Sequence, residues 1–196
     1  MNKISIVIPI YNEKENIINL IEEIKFNLSN SFKFEIIVVD DFSTDASYTE
    51  VKKKHNDVVL IRNKKNLGQS HSIYIGVRSS NYDHIVTLDG DGQNPPIDII
   101  KIGNIYFGSN YKLVGGLRLE RKDNAIKKIS SIIANKFRSF ILKDKCMDTG
   151  CSLKIFYKQS FMRLPFFNGM HRFLPALFMA YGYETFYIGV GHRPRI

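Results

Sequence analysis

The sequence predicts an α/β fold with a mostly parallel, mixed central sheet and helices on both faces. Short β-branched runs alternate with helix-length segments along the first 120 residues. Several of the runs are apolar throughout, as expected for strands that are covered on both faces. Strand, helix and strand repeated in this way favour right-handed crossovers. No repeat or linker divides the 196 residues, so we expect one domain over residues 1–196.

Seven segments are predicted to be strands. Five precede residue 120, at residues 4–9, 34–40, 58–62, 84–89 and 112–116, and two follow it, at residues 152–156 and 185–189. Polar clusters come directly after the first five: PIYNE, DDFSTD, NLGQS, DGDGQN and GLRLER. Ligands of open α/β sheets bind outside the carboxyl ends of the strands, so these clusters predict a binding site at one edge of the sheet.

Apolar residues at helical spacing mark the helices. The first predicted helix follows Asn12, where Asn12 and Glu15 resemble a capping box, and the next clear one follows the NPP sequence. A long helical pattern covers residues 124–143, and its isoleucine stripe is expected to pack in the core rather than on a membrane surface. Another helix is expected over residues 170–181.

Composition narrows the class of protein. The formal charge of +9 favours a phosphate-bearing partner, which can be a nucleotide, a nucleic acid or a lipid headgroup. Cys146 and Cys151 lack the spacing of a zinc site, and we expect reduced thiols in a cytosolic protein. No apolar stretch approaches the roughly 18 residues of a membrane span, and the N-terminus does not resemble a signal peptide.

The DGDGQN motif is the strongest chemical signal. Asp89 and Asp91 flank a glycine at the end of a buried strand, where both carboxylates can reach one hard divalent cation, and Gln93 can add an oxygen ligand or bind a sugar. An ordinary Asp-Gly turn is the alternative. A calcium loop of the EF-hand type is excluded, because Asn94 stands where glycine is required and Ile100 where glutamate is required.

Candidates for nucleoside recognition follow the first two strands. Tyr11 offers a stacking surface, and Glu13, Asp40 and Asp41 offer carboxylates for a base N–H. Helix capping by Asn12 and Asp41 is the alternative role. The chain contains neither G-x-G-x-x-G after its first strand nor a GK[ST] run, which disfavours dinucleotide-binding dehydrogenases and P-loop nucleotidases.

Basic side chains surround the predicted site. Arg118 and Arg121 follow the fifth strand and can hold phosphate, although a solvated basic turn is the alternative. Asp148 of the DTG loop can face the sugar or position the acceptor, or can belong to a simple turn. A basic approach to the site is predicted from His171, Arg172, His192, Arg193 and Arg195.

Taken together, the ordered motifs SIVIPIYNE, VVDDFSTD, NLGQS, TLDGDGQNPP, GLRLER, DTGCSLKIF, GMHRFLPAL and HRPR resemble the family 2 glycosyltransferases, in the polyprenyl-phosphate branch. The resemblance implies a GT-A fold and an inverting transfer from a UDP- or GDP-sugar. It also implies Mg²⁺ or Mn²⁺ at Asp89, Asp91 and Gln93.

Further site residues are carried over from the resemblance. Nucleotide contacts are expected at Pro9, Tyr11, Glu13, Asp89 and Asp41 or Asp40, and phosphate contacts at Arg118 and Lys128. Phosphate contacts are also expected at Arg121, Arg193 and Arg195, from their charge and their place in the sequence rather than from the family. Lys128 stands where the family has an arginine. The implied acceptor is a polyprenyl phosphate, which is already ionised, so Asp148 is expected to orient it rather than to deprotonate it, beside Asp91 in the catalytic set.

The expected division places donor binding in residues 1–120 and the acceptor side in residues 121–196. Relatives continue past HRPR into an acceptor-phosphate segment and often into membrane helices, which this sequence lacks, so we expect a membrane surface or a separate anchor protein as a partner. The expected location is cytoplasmic, peripheral at the inner membrane face. Three alternatives remain: a soluble or protein hydroxyl acceptor with Asp148 as base, a catalytically weak donor-binding protein, and, least favoured, a nucleic-acid-binding module.

Overall fold

The computed structural model describes residues 1–118, 148 and 150–194. Its centre is a seven-stranded sheet with the order β3-β2-β1-β4-β6-β5-β7. The strands are β1 (Lys3–Ile10), β2 (Lys33–Asp40), β3 (Val59–Arg62), β4 (His84–Thr87), β5 (Leu113–Arg118), β6 (Lys154–Tyr157) and β7 (Thr185–Val190). Each of the seven predicted strands has a counterpart among them.

Only β6 runs against its neighbours within this sheet. It pairs antiparallel with β4, where Lys154 lies opposite Thr87, and antiparallel with β5, where Lys154 lies opposite Gly115. All other pairs, including β5 with β7, are parallel. The prediction of a mixed but mostly parallel sheet is therefore confirmed.

Helices cover both faces of the sheet. The helices are α1 (Ile17–Leu28), α2 (Ser47–Lys54), α3 (Gln69–Ser79), α4 (Asp98–Phe107), α5 (Lys158–Met162) and α6 (Leu174–Ala180), with a short 3₁₀ helix at Met170–Arg172. One core layer joins α1, α2 and α4 to the even-numbered residues of β1 and β2. The other joins α3, α5, α6 and the 3₁₀ helix to Val7, Ile37 and Val39. Successive strand residues thus enter opposite layers.

The predicted capping box at Asn12 and Glu15 is wrong. Helix α1 begins only at Ile17, and Asn12 has a positive φ of 57°. Its side-chain oxygen instead accepts hydrogen bonds from the backbone N–H groups of Thr44 and Asp45, at 2.9 and 3.3 Å. Asn12 therefore joins the loops after β1 and β2 and does not cap a helix.

The helix predicted over residues 170–181 is divided. The 3₁₀ turn ends at Arg172, and α6 starts at Leu174 with Pro175 in its first turn. Proline lacks an N–H and clashes with the preceding turn of a helix, so a helix can begin at this position but cannot pass through it. The helical pattern of residues 124–143 lies outside the described residues. Within the described ranges, no helix is long and apolar enough to cross a membrane.

Candidate functional site

A cleft of about 230 Å³ opens at the carboxyl ends of β1, β2 and β4. It is lined by Pro9, Ile10, Tyr11, Glu13, Asp41, Gln69, Ser72, Asp89, Gly90 and Asp91. Six of these residues were predicted site residues, and they come from three separate loops that the parallel strands bring to one edge. The Tyr11 side chain is half exposed beside the cleft, so its ring is open to a planar ligand.

Asp89 and Asp91 form an acidic pair on the floor of this cleft. Burial and the neighbouring charge of Asp91 raise the pKa of Asp89 to about 6, although Ser152, Lys154 and Arg118 act in the opposite direction. The Oδ1 atom of Asp89 accepts a 2.6 Å hydrogen bond from the side-chain amide of Gln69. Two carboxylates crowded in this way favour a cation between them.

Gly90 and Gly92 shape the turn that carries the pair. A Cβ at Gly90 would lie 2.5 Å from Cγ2 of Ile10, so only glycine fits against the end of β1. Gly92 has a φ of +70°, in the left-handed region that glycine adopts without strain. The turn is therefore pressed against β1, with its carboxylates beside the loop after that strand.

Gln93 lies just outside the cleft lining. Its backbone N–H donates to Oδ1 of Asp91 at 3.1 Å, and its side-chain Nε2 donates to the carbonyl of Arg193 at 3.2 Å. No group of three or more His, Cys, Asp or Glu side chains that could hold a metal exists among the described residues. Two aspartates still fit Mg²⁺ or Mn²⁺, because these ions prefer oxygen ligands and often take the remaining ones from phosphate and water.

Asp40 and Asp41 enter different layers of the fold. Asp40 is fully buried, lies outside the cleft lining and forms an ion pair with Arg62, whose Nε lies 3.1 Å from Oδ2 of Asp40. Asp41 lines the cleft and accepts hydrogen bonds from the backbone of Leu67 and Gly68, both at 2.8 Å. It therefore fastens the loop before α3 and does not cap α2. Of the two aspartates, the structure places only Asp41 at the site.

Arg118 and Asp148 form a bidentate ion pair. The guanidinium Nε and Nη2 atoms each lie 2.8 Å from a carboxylate oxygen of Asp148, and the Arg118 backbone N–H also donates to Oδ2 at 3.2 Å. A Cβ at Gly150 would lie 2.7 Å from Nη2 of Arg118, so glycine leaves room for the pair. A predicted phosphate ligand and a predicted catalytic residue thus bind each other.

Lys154 is a buried cation that the sequence reasoning missed. It is 4% exposed, its Nζ donates to the Cys151 carbonyl, and its charge opposes the rise in the pKa of Asp89. The strand that contains Lys154 was predicted from the apolar residues around it. The charged residue inside that apolar run was the signal that could have identified Lys154 as a candidate site residue. Gln69 was likewise missed, although the NLGQS cluster that contains it was noted.

Ser70 anchors the loop that leads to the 3₁₀ helix. Its Oγ accepts hydrogen bonds from the backbone N–H groups of Gly169 and His171, at 3.1 and 3.3 Å, and lies 2.7 Å from Nδ1 of His171. Burial, with the charges of Arg172 and Lys154, lowers the pKa of His171 to about 4. His171 is therefore neutral at pH 7, and its Nδ1 can accept from the Ser70 hydroxyl. Because His171 is uncharged, it does not contribute to the predicted basic approach at pH 7.

Of the remaining predicted phosphate ligands, Arg193 is the one among the described residues. Arg193 binds Glu23 of α1 through two hydrogen bonds of 2.9 and 2.7 Å. Arg121, Lys128 and Arg195 lie outside the described residues, as does Cys146. The other cysteine, Cys151, is a buried free thiol, and burial raises its pKa.

Sequence comparisons identify a family and named relatives. Residues 5–165 match the model of the family described as Glycosyl transferase family 2. Dodecaprenyl-phosphate galacturonate synthase of Rhizobium johnstonii is 33% identical over 180 residues, which are 89% of this chain and 53% of the relative. Undecaprenyl-phosphate 4-deoxy-4-formamido-L-arabinose transferase of Photorhabdus laumondii is 30% identical over 200 residues, covering 100% of this chain and 61% of that protein. The chain thus spans about half to three fifths of these relatives.

Solved structures share the fold. Glucosyl-3-phosphoglycerate synthase from Mycobacterium tuberculosis, in complex with Mn²⁺, UDP and glucosyl-3-phosphoglycerate, superposes with a TM-score of 0.75 at 18% identity. The match covers 100% of this chain and 73% of that one. The same enzyme with Mg²⁺ and UDP gives a TM-score of 0.74 at 17% identity, with the same coverage. This likeness confirms the predicted GT-A type of fold.

Proposed function

The chain belongs to glycosyl transferase family 2, and we propose that it transfers a sugar, with inversion, from a UDP- or GDP-sugar to a polyprenyl phosphate. The observation that carries the proposal is the meeting of Asp89 and Asp91 with Tyr11, Glu13 and Asp41 in one cleft. Both relatives described above are named for polyprenyl phosphates. The acceptor class is taken from those names, and the donor class from the resemblance to the family; the acidic pair in the cleft is compatible with a nucleoside diphosphate bound through a cation.

The donor nucleoside is proposed to lie between the loops after β1 and β2. Tyr11 stacks on the base, while Glu13 and Asp41 supply carboxylate oxygens for base or ribose donors. Glu13 is itself held in place, because its backbone N–H donates to Ser47 Oγ at 2.8 Å. Glu13 and Asp41 are thus restrained before the nucleotide arrives, which lowers the entropic cost of binding.

Asp89 and Asp91 are proposed to hold Mg²⁺ or Mn²⁺. When bound, the ion neutralises negative charge on the departing nucleoside diphosphate. The protein's own contribution is to fix the two carboxylates, since Gln69 binds Asp89 and the N–H of Gln93 binds Asp91. Gln93 remains a proposed third ligand through its side-chain oxygen, because only its amide nitrogen is used by Arg193.

The Arg118–Asp148 pair favours a phosphate acceptor over a hydroxyl acceptor. A carboxylate bound by a guanidinium on both oxygens is a poor base, and a hydroxyl acceptor would need a base. A phosphate is already ionised, so Asp148 needs only to orient Arg118, which is the proposed phosphate ligand. Asp148 is therefore a positioning residue in this proposal.

We place the protein at the cytoplasmic face of the membrane, on a membrane surface or bound to an anchor protein. The formal charge of +9 would attract it to anionic headgroups. Nucleic acid is a poor partner for the cleft, because the acidic pair would repel a phosphate backbone.

The proposal is tested by following labelled sugar. The chain is incubated with Mn²⁺, labelled UDP- or GDP-sugars and a short polyprenyl phosphate in detergent, and the products are partitioned between water and organic solvent. We expect label in the organic phase for the wild type and for the exposed control Asp83→Asn, and none for Asp91→Asn. A product that stays in water would contradict the lipid acceptor. Metal-dependent donor binding without any product would indicate a donor-binding protein.

A further inference from the structure

Segment 189–193 comprises the last two residues of β7 and the three residues after it, and it lies against the loop that carries the acidic pair. Lys101 donates from Nζ to the carbonyl of Gly189 at 2.6 Å, and the Gly191 N–H donates to Oδ2 of Asp98 at 2.7 Å. A Cβ at Gly191 would lie 3.1 Å from Cγ of Pro95, so the segment approaches this loop closely. Helix α4 therefore fixes the start of the segment.

The end of the segment forms hydrogen bonds with Gln93, in the turn that carries Asp89 and Asp91. The backbone N–H of Arg193 donates to the carbonyl of Gln93 at 2.8 Å, and Nε2 of Gln93 donates back to the carbonyl of Arg193 at 3.2 Å. The N–H of the same Gln93 donates to Oδ1 of Asp91. One residue therefore connects the segment to a proposed metal ligand.

The side chain of Arg193 connects the pairing to helix α1. Its Nη1 and Nη2 atoms donate to the two carboxylate oxygens of Glu23, at 2.9 and 2.7 Å. Parallel bonds of this kind fix the guanidinium plane as well as its position. The ion pair thus restrains the backbone of Arg193, and with it Gln93, relative to helix α1, which packs in the core through Ile17, Ile21 and Ile24.

We propose that Glu23 and Arg193 are positioning residues that hold Asp91 in the geometry needed for the divalent cation. The inference rests on the proposed function, in which Asp91 is a metal ligand. The turn is held against Ile10 at Gly90, whereas Gly92 leaves the backbone after Asp91 with few restraints of its own. Segment 189–193 supplies the missing restraint, through Gln93.

The expected effect is small but measurable. The two side chains are 44% and 30% exposed, so the ion pair is partly screened by solvent. We expect loss of the pair to weaken Mn²⁺ binding about threefold, which corresponds to an exposed pair of typical strength.

The test measures binding of Mn²⁺ alone, through the electron paramagnetic resonance signal of free Mn²⁺. Glu23→Gln is compared with Glu22→Gln, which removes the same charge from the neighbouring residue of the same helix; Glu22 faces His55 instead, at 3.6 Å. We expect weaker binding for Glu23→Gln alone, and recovery in the charge-reversed double variant Glu23→Arg/Arg193→Glu. Equal affinity in the two single variants would overturn the inference.

A second measurement does not depend on metal. Amide hydrogen exchange of residues 89–94 in the metal-free protein should be faster in Glu23→Gln than in Glu22→Gln, and unchanged exchange would also overturn the inference. A role in fold stability alone would lower the melting temperature without changing the affinity of the folded protein for Mn²⁺. If the wild type fails to bind Mn²⁺, the metal site of the proposed function fails first, and this inference fails with it.

Discussion

Replacing Asp41 with asparagine tests whether this carboxylate, which is proposed to face the donor base, also holds the loop before α3. Oδ1 accepts hydrogen bonds from Asn63 Nδ2 at 2.7 Å and from the Leu67 N–H at 2.8 Å, while Oδ2 accepts from the Gly68 N–H at 2.8 Å. Asp41 is only 4% exposed, so water cannot take the place of its carboxylate as the acceptor for these three donors. The residue after Gly68 is Gln69, which binds Asp89.

The cost follows from which oxygen is lost. Asparagine would place its NH₂ toward Gly68, because the other orientation loses two hydrogen bonds instead of one. The Gly68 N–H then faces another donor, and the two remaining bonds lose the charge of their acceptor. A lost bond to a charged group and a buried unsatisfied donor each cost about 1–3 kcal/mol, so we expect the free energy of unfolding to fall by about 3 kcal/mol.

Urea unfolding followed by circular dichroism measures the change, with Asp83→Asn as the control at an exposed aspartate. Isothermal titration with UDP and GDP in the presence of Mn²⁺ should show weaker binding by Asp41→Asn, both because the carboxylate is lost and because Gln69 shifts. A stability change below about 0.5 kcal/mol, equal to that of the control, would refute the role of Asp41 in holding this loop.

Three further changes have defined outcomes. Gly90→Ala should lower the free energy of unfolding by about 1–3 kcal/mol, since its Cβ would meet Ile10 at 2.5 Å; an unchanged urea midpoint would contradict this. Arg118→Met should cost about 3 kcal/mol, and adding Asp148→Leu should restore part of it in the same assay, because the single change leaves a buried carboxylate without its guanidinium. Burial lowers the pKa of His171 to about 4 in the folded protein, so between pH 6.5 and pH 5 the unfolded chain binds a proton that the folded protein does not bind. The free energy of unfolding should therefore fall by about 1.5 kcal/mol from pH 6.5 to pH 5. His171→Gln should remove this fall, which is measured as the dependence of the melting temperature on pH over the same range.

Local pattern was sufficient to locate the strands but not to predict their arrangement. Apolar runs located each of the seven strands in the described part of the chain, because burial on one or both faces of a strand selects apolar residues. The reversed direction of β6 leaves no mark in the sequence, since its four residues would be equally apolar in either direction. The supposed capping box failed for a related reason: Asn12 bonds to Thr44 and Asp45, more than 30 residues away. A long-range partner outweighed the local one.

The half of the site that is proposed to bind the donor was more predictable than the rest. Its residues follow strands that lie side by side in the sheet, so predicting the strands placed the clusters together. Arg193 was predicted to bind phosphate, but it is bound to Glu23, which lies 170 residues earlier in the chain. Its charge and motif were visible in the sequence, whereas its partner depends on how β7 packs beside α4 and α1.

The choice between Asp40 and Asp41 shows how a strand's pleat decides the site. The two are adjacent in sequence and chemically identical, so residue type cannot separate them. Asp40 lies on the same face of β2 as Ile36 and Val38, which pack in the layer of α1, and there it forms its ion pair with Arg62. Asp41 follows Ile37 and Val39 on the opposite face, toward the layer of α3. Asp89 follows Ile85 and Thr87 of β4 on this same face of the sheet. Because side chains alternate along a strand, Asp41 and Asp89 both reach the cleft on this second face of the sheet. A one-residue shift of β2 would exchange the roles of Asp40 and Asp41.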